Sequence, residues 1–345
     1  MIDFSKKATS EKLQEFAEHM IELSETIGFR ISARGWCYTM ETERYINKDQ
    51  FDKVEGWINK CRRRGYLPID FVAEDSARLF KGVEKMDVIS YERHILSWLN
   101  AMYNIPDYYD PNWWEGEKYY IQMIVEKVDL VTLAQPVLEK YHIPIANAKG
   151  WSSMLQRAEY ARRFRKAEIR GLKCVLLYFG DHDPDGLRIA DNIRKNLYDL
   201  QHVTWNDKTV GYNPEELIID RIGLTYSFIK KNKLTWIDNL VTGRKKDGKK
   251  QDLSDPKHRN NKLTYVQAYI ENIGIRKCEA NACVTIPSKT RLYIDQQIEK
   301  YLGKDAEYRF KKKKIKAEEE INEVMEKKGI NEMIQASIDN LRGEE

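Results

Sequence analysis

The chain has little of what would place a protein outside the cell or in a membrane. Its five cysteines are odd in number and include no C-x-x-C pair, which argues against a disulfide framework. Cys278 and Cys283 have no matching His/Cys cluster for zinc, so free buried thiols are expected. No apolar run is long enough to span a bilayer, and the opening MIDFSKKATSEK lacks the apolar core of a signal peptide. A cytoplasmic protein without a membrane attachment is expected. There is no P-loop or other recognisable ATPase motif, and no internal repeat. Formal net charge is only +4, so any surface for nucleic acid must be a local patch rather than a global field.

What is present argues for a folded protein of two or three domains: 345 residues, 42% hydrophobic, with 20 Tyr, 10 Phe and 8 Trp. The most informative stretch is Lys173 to Leu197, KCVLLYFGDHDPDGLRIADNIRKNL. The apolar and aromatic run Cys174 to Phe179 suits a strand buried on both faces, as in a parallel sheet. It stops at Gly180, and Asp181, Asp183 and Asp185 follow at every second position. Gly186 turns the chain, and Leu187, Ala190, Ile193 and Leu197 mark one helical face. Three carboxylates thus crowd the end of a strand, where open α/β sheets place their ligands.

Like charges so close are unfavourable without a cation, and hard divalent ions prefer oxygen ligands. A magnesium site is therefore favoured. Pro184-Asp185-Gly186 is also ordinary turn chemistry, so a solvated turn is the plain alternative. An EF-hand loop, which also opens D-x-D-x-D-G, fails because its twelfth position is Asn192 and a strand, not a helix, precedes it.

Upstream, Leu13, Phe16, Met20, Leu23 and Ile27 have helical spacing, and Gly28 can end that helix. Ser32 is a suitable N-cap for a second helix through about Thr42, and Asn47-Lys48-Asp49 opens a third, Gln50 to Arg64. YLPIDFVAED then reads as a short strand region. Three short helices and a β-wing make a winged-helix-like unit, with Arg62, Arg63 and Arg64 placed for phosphate contact. A generic small helical domain with solvated arginines suits the pattern equally.

Residues 76–117 read as a helical connector, whose Trp113 and Trp114 suit core or interface anchors. Tyr119 to Val125 is a second strand run, and it too ends in an acid, Glu126. A helix from Val131 to Tyr141, a short strand at His142 to Ala146, a turn at Lys149-Gly150 and a helix from Ser152 to Ile169 follow. This alternation predicts βαβ units and a parallel sheet. Later come a short strand and turn in TVGYNPEELIIDRIGLT, a polar insert over 243–261 that suits a loop able to meet a phosphate backbone, and a Lys/Glu-rich exposed helix from Asp305.

Glu126 after one strand and Asp181-x-Asp183-x-Asp185-Gly186 after another resemble the Toprim domain of topoisomerases, primases and some nucleases. Arg34-Gly35-Trp36-Cys37-Tyr38 upstream resembles the Arg-x-x-aromatic-Tyr signature of the A subunit of type IIB topoisomerases and the related meiotic double-strand-break protein, with Cys37 where that family has an aromatic. The fold class this implies is α/β: a winged-helix-like domain over 1–75, the connector, a Toprim domain over 118–215, a mixed extension over 216–304 and a charged helical tail over 305–345.

By the same resemblance Tyr38 is the nucleophile, Arg34 its electrostatic partner, and Glu126, Asp181 and Asp183 ligands of Mg2+ or Mn2+, with Asp185 the third acid of the wider motif. Lys149 joins the three arginines as an expected DNA contact. Double-stranded DNA is the implied substrate and a covalent 5′-phosphotyrosyl link the implied product. A homodimer is implied, one copy's tyrosine working with the other's acids, and a topoisomerase would need a separate ATPase chain. A Toprim nuclease using water, with Tyr38 structural, and a non-catalytic DNA-binding module are the alternatives.

Overall fold

A computed structural model describes residues 8–73, 90–148, 153–205, 211–244 and 250–343. The chain divides into two compact units, one of residues 1–74 with 118–301 and one of 75–117 with 302–345.

The first unit is built on a four-stranded, all-parallel sheet. Its strands are β1 (Tyr119–Val125), β2 (Ile145–Asn147), β3 (Lys173–Phe179) and β4 (Ile218–Gly223), in the order β2-β1-β3-β4. The two expected central strands form because their runs are apolar on both faces: from Tyr120 to Val125 and from Cys174 to Phe179 every residue is buried. Helices Val128–Lys140 (α4), Met154–Ile169 (α5) and Ile189–Tyr198 (α6) connect or follow the strands, as parallel pairing requires. The expected α/β class with a parallel sheet is the one observed.

Strand order reverses between β1 and β3, since β1 leads to β2 on one side and β3 to β4 on the other. Val125 pairs with Phe179, so the residues that follow leave the sheet side by side at its carboxyl edge. Such a reversal opens a crevice at the strand ends.

Three helices precede the sheet: α1 (Ser10–Ile27), α2 (Ala33–Thr42) and α3 (Phe51–Arg63), the last entered through a 3₁₀ turn, Lys48–Gln50. Ser32 caps α2 through Gly35 N–H at 2.9 Å, as its sequence position suggests. Phe16, Met20, Trp36, Phe51, Val54 and Ile58 form the shared apolar interior of this lobe. Residues 66–73 run as turns and bends rather than the expected strand, so no β-wing forms among the described residues. Pro68 lacks an N–H for a ladder, and Arg62 takes the Ile69 carbonyl at 2.8 Å.

Other differences have local causes. The acidic turn continues as one helical turn, Pro184–Leu187, and breaks at Arg188 before α6, which leaves Leu187 exposed while Ile193 and Leu197 are buried. The polar insert is not simply a loop: Val241–Arg244 pairs antiparallel with Lys250–Asp252. All five cysteines are buried and none is in a disulfide.

The second unit is helical, with Tyr91–Tyr103, Ile105–Tyr108, Ala306–Lys327 and Ile330–Gly343. The charged tail is not a free helix. Met325, Ile334 and Ile338 bury an apolar seam with Leu96 and Leu99, and Trp113 packs on Phe310 with ring centroids 4.4 Å apart. Among the described residues no helix is long and apolar enough to cross a membrane.

Candidate functional site

A cleft of about 950 Å³ in the first unit lies over the carboxyl edge of β1 and β3 and faces α2. Arg34, Tyr38, Glu126, Asp181, Asp183 and Asp185 all line it. Residues 34 and 38 are one helical turn apart on α2 and so share a face. Asp129, buried in the first turn of α4, accepts Ser32 N–H at 2.8 Å and fixes the start of α2 against the sheet layer. Gly35 is required at that contact, since a Cβ there would lie 2.2 Å from Asp129 Oδ2.

The acids are held apart and each is engaged by the protein. Glu126 N–H donates to Phe179 O at 3.0 Å, while its carboxylate accepts Asp181 N–H at 2.8 Å and the Tyr178 hydroxyl at 3.3 Å. Asp181 Oδ1 accepts Ala280 N–H at 2.7 Å. Asp183 caps the helical turn after it, taking Gly186 N–H at 2.6 Å, and Asp185 accepts the Tyr265 hydroxyl at 2.9 Å. Arg221, from β4, braces the turn by donating to the Asp181 and Gly186 carbonyls at 2.9 and 3.0 Å. His182 faces the core, where it meets the Tyr269 hydroxyl at 3.1 Å; burial and then Arg221 lower its pKa to about 4.

Lys127 stands between the two strand-end acids. Its ammonium is 2.9 Å from Asp181 Oδ2 and 3.3 Å from Glu126 Oε1. Burial opposes the charge on Lys127, but Asp181 and Glu126 outweigh it and hold its pKa well above the usual lysine range. Burial also works against the Glu126 carboxylate, yet Lys127 and the Asp181 N–H keep its pKa below the ordinary value. At Asp181 burial prevails and pushes the carboxyl up, with Lys127 pulling it back.

Whether these residues suit the implied magnesium can be judged from this arrangement. Among the described residues no three His, Cys, Asp or Glu side chains converge as a ligand set. The position between Glu126 and Asp181, where a cation would relieve their repulsion, is taken by the Lys127 ammonium. The side chains as arranged do not fit a magnesium centre.

A second charged group lines the same cleft. Glu279, almost fully buried, accepts Lys48 at 2.9 Å and Lys277 at 3.1 Å through Oε1. Lys277 also donates to Val241 O at 2.9 Å. Tyr38 sits between the two groups: Lys48 Nζ and Lys127 Nζ lie 5.7 and 5.8 Å from its ring centroid, and Phe51 packs edge-on at 5.1 Å. Burial, then the Glu279 carboxylate, raises the Tyr38 pKa, against the lowering effect of Lys127 and Arg34. Arg34 itself pairs with Glu55 at 3.0 Å and Asp52 at 3.2 Å on α3.

Arg62, Arg63 and Arg64 are not in the cleft. They bond within their own lobe, to Ile69 O, Asn59 O and Ser10 Oγ. Lys149 lies outside the described residues. The sequence reading left out Lys48, Lys127, Asp129, Arg221, Lys277 and Glu279. Lys127 follows Glu126 directly and could have been flagged as its counter-charge. Glu279 carries no local signal.

The chain was compared with protein-family models, curated proteins and solved structures, and none of the three gives a match.

Proposed function

We propose that this protein cleaves double-stranded DNA by tyrosine transesterification, in the manner of type IIB topoisomerase A subunits. The observation that supports this reading is that Tyr38, Arg34 and the strand-end acids line one cleft of one compact unit, with two ammonium groups beside the Tyr38 ring. A phenol with a pKa of about 10 is a weak nucleophile at neutral pH, so nearby cations matter twice. They favour the phenolate, and they offset charge that develops on the phosphoryl oxygens.

The Tyr38 oxygen bonds to phosphorus as the bond from phosphorus to the 3′ oxygen breaks. The phenol proton is given up, and the leaving 3′ oxygen takes one. A 5′-phosphotyrosyl link and a free 3′ hydroxyl result. No step is assigned to Mg2+ or Mn2+, because Lys127 stands where the strand-end acids would share one. The helical lobe is inferred to be the DNA-docking part, without a wing among its described residues, and the sheet a Toprim-like domain. A second copy is inferred to serve the opposite strand. Strand passage would need a separate ATPase chain.

Hydrolysis by water with Tyr38 structural is the second reading, and the burial that raises the Tyr38 pKa favours it. One experiment separates the two. End-labelled supercoiled DNA is incubated with the protein and Mn2+ or Mg2+, quenched in denaturant and run with and without protease. Label that enters the gel only after protease, lost completely in Tyr38→Phe while DNA binding persists, is the expected result. Free ends without protease, or an adduct surviving in Tyr38→Phe, overturns the assignment.

A further inference from the structure

We propose that Lys48, held in place by Glu279, is the group that seats a DNA phosphate beside Tyr38. The inference rests on the DNA-cleavage reading and deepens it by assigning the phosphate to one of the two ammonium groups beside Tyr38. Five cations line the cleft; Arg188 pairs with Asp191 at 2.9 Å, and three others are also engaged. Arg34 is exposed, but it pairs with two carboxylates, Asp52 and Glu55, which together outnumber its charge. Lys127 lies between the Glu126 and Asp181 carboxyl groups, and both engage its ammonium. Lys277 is buried and donates to the Val241 carbonyl.

Lys48 differs in its charge balance. Its side chain is 42% exposed, and its ammonium lies 5.7 Å from the Tyr38 ring centroid. It shares its one carboxylate with Lys277, so two cations on one anion leave a net positive charge facing the cleft. The holding group is itself fixed. The Glu279 carboxylate is only 7% exposed and is anchored by Lys277, while the next residue, Ala280, donates its N–H to Asp181 Oδ1 at 2.7 Å. Both lysines use Oε1, and the other oxygen of Glu279 has no hydrogen-bond partner among the described residues. A lysine held in this way presents a point charge to a phosphodiester at little cost in side-chain ordering. Glu279 acts through Lys48 and is a positioning residue.

Salt dependence of DNA binding tests the idea without asking for cleavage. For duplex DNA each phosphate neutralised contributes about 0.9 to the slope of log K against log salt. Lys48→Met is expected to lower that slope by about 0.9, and Lys48→Arg to restore it. Lys48→Gln is a second variant should the methionine perturb folding, which circular dichroism reports. An unchanged slope in folded Lys48→Met and Lys48→Gln overturns the inference and leaves the cleavage reading standing. A wild-type protein that binds no DNA overturns both.

Discussion

Two triads of charge face Tyr38, and they are built in opposite senses. On the sheet side an ammonium, Lys127, is clamped by two carboxylates, Glu126 and Asp181. On the other side a carboxylate, Glu279, is clamped by two ammonium groups, Lys48 and Lys277. The first is sealed in its bonding, because its acids follow adjacent strands whose register fixes their spacing, and their remaining oxygens accept the N–H groups of Asp181 and Ala280. The second is open, because one of its lysines rises from a 3₁₀ turn of the helical lobe and reaches solvent. A sealed triad holds structure together, whereas an open one can exchange a partner for a ligand. The tyrosine between them has a rigid wall on one side and an adjustable one on the other.

Removing one lysine from each triad should therefore have unequal costs. Lys127→Met leaves two acids facing each other, one of them only 8% exposed, and is expected to lower stability by about 3 kcal/mol. Lys48→Met leaves Glu279 still paired with Lys277 and should cost less than about 1 kcal/mol. Urea unfolding of both variants checks this. Equal losses would break the contrast. Added Mn2+ should recover more stability in Lys127→Met than in wild type if the ammonium holds a cation position; equal recovery would mean that it does not.

The sheet triad was half legible in the sequence, and the other triad was not. Glu126 and Asp181 stand out because each ends a run buried on both faces, and such runs are readable from composition alone. Lys127 is the neighbour of Glu126 in the chain, but which way its side chain turns depends on a partner 54 residues later. Glu279 meets Lys48 across 231 residues, in a stretch with no periodic pattern to mark it. The fold divides similarly. The continuous apolar strands β1 and β3 and the helices α1 to α3 follow from local pattern. The hairpin Val241–Arg244 with Lys250–Asp252 does not, because its residues are polar and its ordering comes from neighbours such as Lys277. The tail looked exposed because its lysines and glutamates outnumber the few apolar positions, Met325, Ile334 and Ile338, that bury it.

A gentler way to disturb only the sealed triad is through the turn that carries it. A Cβ on residue 186 would lie 2.4 Å from the Asp181 carbonyl oxygen, and that oxygen is backbone, so the turn must move. Gly186→Ala is expected to cost about 2 kcal/mol, as overpacking of a close contact does. Its loss should not add in full to that of Lys127→Met, because both act on Asp181. Full additivity in a double-mutant cycle would show that the turn and the ammonium are independent supports.

The smallest effect probes the field of the open triad. Burial, then the Glu279 carboxylate, raises the Glu41 pKa to about 7, against Lys48 and Lys277. Its unfolded value is about 4.3, so between these limits the folded chain holds a proton that the unfolded chain has released. Stability from this group is present below the unfolded pKa and is lost as pH rises through about 7. Glu41→Gln removes that loss. It should match wild type near pH 4 and exceed it by about 1–2 kcal/mol at pH 8, after allowance for the partial exposure of the site. Thermal or urea unfolding at the two pH values reads the difference directly. A gain only at high pH means that burial and Glu279 govern this spot despite two lysines. No gain at pH 8 means that the lysines' field reaches Glu41 as well, and the positive charge of the open triad then extends beyond Lys48.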